Sequence, residues 1–225
     1  MRNNNIRKLT TLSILCAIAF LLTFLAYVMP VFIPAAPFLN YEPKDVIIMI
    51  AGFLYGPLAV IPMSIVVSML EMPFSGTSVI GLVMNVISTC TFACTAAVIY
   101  KRWRTILGAC IGLGCGVIVM TGVMLLWNYL ITPLYMFPPE MVAQGREIVK
   151  AMLLPAFLPF NFVKGCLNAA LTILLYKPIS AALIKSNMLP VPEDSEKSPA
   201  KVHIGIIIVA LFVIATCVLI ITLLQ

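Results

Sequence analysis

Apolar residues fall into long blocks, at positions 9–29, 46–70, 79–100, 105–132, 158–177 and 203–224, separated by polar or proline-rich stretches. Most blocks reach the ~20 residues that a helix needs to cross the hydrocarbon core of a bilayer. None alternates with period two, so the pattern predicts membrane helices and no strands. The first block exceeds the ~7–15 apolar residues of a cleaved leader and reads as a retained helix. The block at 46–70 is broken by Gly56-Pro57 and reads either as one span or as a hairpin of two short helices. Loop charge decides between them. With the hairpin, every Lys and Arg lies on the side of the N-terminus except Lys44, Arg146, Lys150 and the intramembrane Lys164. Cytoplasmic loops carry the basic excess, so the hairpin is preferred, with a cytoplasmic N-terminus and an external C-terminus. Each arm is then expected to be too short to cross alone, and residues 71–77, EMPFSGT, read as an outer loop. The pattern predicts an all-α integral membrane protein: a six-helix core over 1–185 whose second and third helices are short, a polar linker over 186–202, and an appended, lipid-facing helix over 203–225.

Polar residues inside these blocks carry the functional signal. At about 100° per residue, Asn161, Lys164 and Asn168 share one helical face, which Phe157 extends upstream. Pro159 suits the first turn of a helix, so this helix is expected to start near 158 and to end at Lys177-Pro178. A lysine at that depth costs about 2.5–3.5 kcal/mol on insertion scales. Snorkelling to the interface would relieve the cost, but two amides on the same face point to a polar pocket. Asn128, about one turn inside Pro133, should reach a depth similar to Asn161, and Asn85 lies near the outer end of its own block. The stretch 30–45 carries four prolines, Pro30, Pro34, Pro37 and Pro43, which stiffen an external loop bearing Phe38, Leu39 and Tyr41. That loop reads either as a pocket cover or as an interfacial anchor. Trp127, Tyr129, Tyr135 and Phe157 are further aromatic candidates. Amides both donate and accept hydrogen bonds, whereas lysine only donates. The mixture suits a flat, mostly neutral ligand with carbonyl and ring-nitrogen edges.

Composition narrows the chemistry. With 62% hydrophobic and 10% charged residues, the chain is a polytopic membrane protein. Its net charge of +6 is spread over loops and speaks to topology, with no nucleic-acid partner implied. None of the 7 cysteines forms a CxxC pair, and His203 is the single histidine, so no metal or cofactor site is expected. Without a His base or paired carboxylates inside a span, an intramembrane hydrolase is disfavoured and no enzyme activity is expected. No ring of charges or filter loop suggests a channel. Ser13 and Ala17 form a small-xxx-small pair that permits close helix approach, as do Gly108, Gly112, Gly114 and Gly116 in the block at 105–132. The residues alone therefore give a solute-binding membrane protein for a polar, aromatic ligand. A ligand-free scaffold subunit, and a carrier for another vitamin or nucleobase-like solute, stay open.

Four stretches carry a resemblance: RKLTTLSILCAIAFLLTF, LNYEPKDVIIMIAGFLYGP, WNYLITPLYM and LLPAFLPFNFVKGCLNAALTILLYKP. Together with the helix bearing Asn85 they span residues 7–185, and the last, with NxxK followed by LNA, is the most specific. They resemble the riboflavin-specific S components of energy-coupling factor (ECF) vitamin transporters. The resemblance implies a six-helix subunit that takes up riboflavin from outside, with riboflavin as transported ligand. Carried over by motif, Asn128, Asn161 and Lys164 would hydrogen-bond the ligand, Phe38, Leu39 and Tyr41 would lie on the covering loop, and Asn85 and Asn168 match less diagnostic positions. Ser13 and Ala17 match the AxxxA-like surface that meets the transmembrane coupling protein, with Ser in place of the first Ala. Two cytoplasmic ATPases complete such complexes; this chain has no GxxxxGK[ST] motif, so ATP hydrolysis would come from partners. The family's proposed mechanism is toppling of the S component within the membrane. The departure from the pattern is residues 186–224, which a flexible linker would hold outside the moving core.

Overall fold

The computed structural model describes residues 2–28, 41–76, 78–189 and 200–223. Every regular element among them is helical: α1 (Arg2–Val28), α2 (Lys44–Tyr55), α3 (Pro57–Ser75), α4 (Val79–Arg102), α5 (Ile106–Leu130), α6 (Thr132–Met136), α7 (Val142–Met152), α8 (Leu158–Lys185) and α9 (Ala200–Leu223). A 3-10 turn (Pro139–Met141) precedes α7, and a π turn (Leu153–Phe157) joins α7 to α8 without a break. Five described stretches are long and apolar enough to cross a membrane. Phe38 and Leu39 lie outside the described residues.

The hairpin at Gly56-Pro57 is present. Gly56 sits at φ +90°, a backbone angle that suits glycine. Pro57 then opens α3 at a position where a missing N–H costs nothing. The 12-residue α2 is short, about 18 Å at 1.5 Å per residue, and Val46 to Gly52 along it are all buried by neighbouring helices. The third helix is not short. α3 runs for 19 residues through Glu71 and Pro73, and only Gly76, in the left-handed conformation at φ +61°, stops it. The outer loop expected at 71–77 is thus mostly helix. Proline is tolerated inside a membrane helix where neighbours hold the backbone, and Pro62 and Pro73 both do this in α3. The same holds at Pro178: α8 continues past it to Lys185 instead of ending at Lys177-Pro178.

The hydroxyls of Ser78 and Thr105 cap α4 and α5 by accepting from the backbone N–H of Gly81 and Gly108. The two helices approach closely at Gly112 and Gly116. A Cβ at these positions would come within 2.8 Å of the Ala96 carbonyl oxygen and 2.7 Å of the Phe92 carbonyl oxygen. Gly114, by contrast, faces open space. The core lies where α1 to α5 meet, and includes Leu15, Ala19, Met49, Val60, Met63, Phe92, Ala96, Leu113 and Met120. α9 is not purely lipid-facing. Its Ala210 and Cys217 are buried, and Val213 and Cys217 pack on Ala156, Phe160 and Val163 of the π turn and α8. Its other faces, with Ile208, Val209 and Phe212, are exposed.

Candidate functional site

A cavity of about 330 Å³ opens at one end of the bundle. One wall is aromatic: Phe20, Phe24 and Tyr27 of α1, with Phe74 of α3. Phe74 holds both phenylalanines of α1, at ring-centroid distances of 5.9 Å from Phe20 and 5.4 Å from Phe24. The other wall carries the amides and charges: Asn85 of α4, Asn128 of α5, Asn161 and Lys164 of α8, Tyr41 and Glu42 before α2, and Glu71 of α3. Met84, Met124, Tyr135, Met136 and Phe157 also line it.

The structure brings Tyr41, Asn85, Asn128, Asn161 and Lys164 together around one cavity. Asn161 donates from Nδ2 to the Phe157 carbonyl at 2.7 Å, which leaves its Oδ1 without a partner among the described residues. Asn128 is more fully engaged. Its Nδ2 donates to the Met124 carbonyl at 2.7 Å, and its Oδ1 accepts from the Thr132 hydroxyl at 2.9 Å. Asn168 does not line the cavity. Its Oδ1 accepts from the Tyr41 hydroxyl at 2.7 Å and its Nδ2 donates to Asp45 at 3.2 Å, so it holds two other residues in place from behind the wall. Of the aromatic candidates, Tyr135 and Phe157 line the cavity. Trp127 packs against the core instead, and the Tyr129 ring lies 6.0 Å from the Arg146 guanidinium.

Lys164 does not snorkel. Its Nζ lies 2.7 Å from Glu42 Oε2 and 3.6 Å from Asp45 Oδ2. Glu42 Oε1 in turn lies 3.3 Å from Lys44 Nζ, and Lys44 also pairs with Glu71. The Thr89 hydroxyl donates to Asp45 Oδ1 at 2.6 Å. Two lysines and three carboxylates thus form one buried, hydrogen-bonded network, the condition under which buried charge is tolerated. Burial alone would push the Glu42 carboxyl up, but Lys164 and Lys44 outweigh it and hold it down at about 2.

Sequence reasoning missed most of this network. Lys44 looks like an outer-loop cation, yet it is fully buried at the start of α2. Glu71 looks like a loop acid, and paired carboxylates were not expected beside a span. One signal was available: an intramembrane lysine needs a counter-ion, and Glu42, Asp45 and Glu71 are the only acids bordering the apolar blocks before Glu140. The aromatic wall of α1 gave no such signal, because phenylalanine in a membrane helix is unremarkable until its neighbours are known. The described residues hold no group of three or more His, Cys, Asp or Glu side chains arranged for a metal ion. Ser13 and Ala17 are exposed on the face of α1 opposite the buried Leu15 and Ala19.

Comparison with known proteins finds relatives and a solved structure of similar fold. The chain is similar to "Riboflavin transporter RibU" of Staphylococcus aureus, 34% identical over 178 residues, covering 77% of this chain and 90% of that protein. It is 30% identical over 164 residues to "Riboflavin transporter FmnP" of Bacillus subtilis, covering 71% of this chain and 85% of that protein. A solved structure of the S component of a bacterial ECF transporter superposes with a TM-score of 0.65 at 32% identity, covering 81% of this chain and 99% of that one. The family described as ECF transporter, substrate-specific component, matches residues 7–176, which leaves α9 beyond the matched region. The chain is a multi-pass membrane protein that belongs to the substrate-specific components of ECF transporters.

Proposed function

We propose that this chain binds riboflavin in the 330 Å³ cavity and serves as the riboflavin-specific S component of an ECF transporter. The observation that carries the reading is the pairing of an aromatic wall with a wall of amides and a lysine whose charge Glu42 balances, in a chain 34% identical to a riboflavin transporter. A flat ring system can lie against Phe20, Phe24 and Phe74 while its polar edge meets Asn161, Asn128, Asn85 and Lys164. The volume is at the lower end of the ~300–1,000 Å³ typical of ligand pockets. Tyr41 and Glu42 close the polar wall next to Lys164, and the preceding Phe38 and Leu39 are proposed to cover the ligand. ATP hydrolysis is supplied by two cytoplasmic ATPases through a transmembrane coupling protein that meets α1 at Ser13 and Ala17. In this reading the N-terminus and the basic end of the bundle face the cytoplasm and the cavity opens outward. Residues 1–185 form the transporting core, with α9 as an addition.

Riboflavin fluoresces, so purified full-length protein should quench it on titration, and thiamin or biotin should not reverse the quenching. Protein that is folded by its melting curve yet leaves riboflavin fluorescence unchanged at micromolar concentration would refute the assignment.

A further inference from the structure

A second cavity, of about 360 Å³, lies at the other end of the bundle. α4, α5 and α8 each give one end to each cavity: Asn85, Asn128 and Asn161 to the first, Tyr100, Ile106 and Tyr176 to the second. The floor of the second is an aromatic cluster. The Phe53 and Tyr100 ring centroids lie 4.4 Å apart, and the Tyr176 centroid lies 5.9 Å from Phe53. The two tyrosine hydroxyls are 3.5 Å apart. Ile207 of α9 supplies a lateral wall that the matched family region, which ends at residue 176, does not contain. Arg104 and Lys177 also line the cavity, both exposed, and neither forms an ion pair among the described residues. No acidic residue among the described residues lines it.

An apolar cleft between membrane helices, lined by two cations that form no ion pair among the described residues, fits one chemical class, an anionic amphiphile. A soluble anion would leave the apolar walls unmatched. A free flavin would find hydroxyls but none of the amides that its ring edges need. We propose that this cleft seats one anionic phospholipid, with its phosphate on Arg104 and Lys177 and an acyl chain against Phe53, Ile173 and Ile207. The lipid would fasten α9 to the α4–α5 turn at this end, complementing the contact that Cys217 makes near Phe160 at the other.

The test is native mass spectrometry of the full-length protein with added phosphatidylglycerol or phosphatidylcholine. One phosphatidylglycerol per chain should be retained, with phosphatidylcholine retained at least tenfold less. Each cation near an anionic headgroup contributes about fivefold, so Arg104→Gln with Lys177→Gln should lower phosphatidylglycerol retention by about 30-fold. The charge-matched pair Lys101→Gln with Arg102→Gln should lower it less than threefold, and Ile173→Trp, which fills the cleft, should abolish it. Melting curves of the ligand-free variants check folding, so the result stands whether or not riboflavin occupies the first cavity. Equal retention of the two lipids would overturn the proposal. So would equal losses in the two charge pairs, undiminished retention in Ile173→Trp, or a second riboflavin equivalent that disappears with Arg104 and Lys177.

Discussion

Asn161 and Lys164 lie one turn apart on α8 and line the same cavity, yet their neighbours make them unequal as probes. Asn161 spends one N–H on its own helix and leaves Oδ1 for a ligand. Asn161→Leu should therefore leave the ligand-free melting temperature nearly unchanged while unpairing a ligand donor. An unpaired buried polar group costs about 1–3 kcal/mol, or roughly 5- to 150-fold in riboflavin affinity. A lowered melting temperature with unchanged affinity would remove Asn161 from the site. Lys164 cannot be read this way. Lys164→Met strands Glu42 and Asp45 beside a single remaining lysine, and breaking a buried pair costs about 3–5 kcal/mol, so binding and folding should fail together. Glu42→Gln is the gentler change, because Lys164 keeps Asp45 and Lys44 keeps Glu71; its melting temperature should fall less than that of Lys164→Met. The Glu42 carboxyl is held at about 2, below its ordinary 4.5. A depressed folded value means that its stabilisation is complete above pH 4.5 and is lost as pH falls toward 2. Wild-type melting temperature should thus fall more steeply than that of Glu42→Gln on acidification from pH 5 to 3. Parallel curves would show that Glu42 is not held by the lysines.

The helices themselves were legible in the sequence because a membrane helix needs only length and apolarity, and the Gly56-Pro57 break was legible because both residues act through the local backbone. Less legible was where a helix continues. Pro73 and Pro178 read as stops by local rules, and α3 and α8 run past both because packed neighbours hold the backbone that proline leaves unpaired. The same limit applied to the site: Asn128, Asn161 and Lys164 stand out against apolar surroundings, whereas Glu42, Lys44 and Asp45 sit at a block edge and look solvated until α8 is placed against them. The role of α9 is likewise a matter of neighbours. It covers Phe160, whose side chain also lines the cavity. Lipid tails are as apolar as the side chains α9 presents, so lipid can replace it without exposing Phe160 to water. Truncation after Ser186 should keep riboflavin affinity within about fivefold, under 1 kcal/mol. A larger loss in truncated protein that still melts cooperatively would make α9 part of the binding wall.

At the scale of the molecule, the proposed binding and coupling roles fall on successive lengths of one face of α1. Phe20, Phe24 and Tyr27 line the cavity, and Ser13 and Ala17 are exposed on the same face of α1, one to two turns nearer its N-terminus. An S component without an ATP-binding motif must draw its driving force through a partner, and the exposed small residues let another helix approach closely. Ala17→Trp places a large side chain on this exposed length without entering the core, because the buried Leu15 and Ala19 lie on the opposite face and a helical side chain leans toward the N-terminus, away from Phe20. Purified Ala17→Trp protein should bind riboflavin within twofold of wild type and keep its melting temperature. Cells that depend on this chain for riboflavin should nevertheless take it up at least tenfold more slowly, because losing about 1.4 kcal/mol or more of a helix–helix contact lowers complex occupancy by that factor. Normal uptake with normal binding would show that the coupling contact lies elsewhere on the bundle. Loss of both would mean that α1 positions the aromatic wall too tightly for the two lengths of this face to act independently.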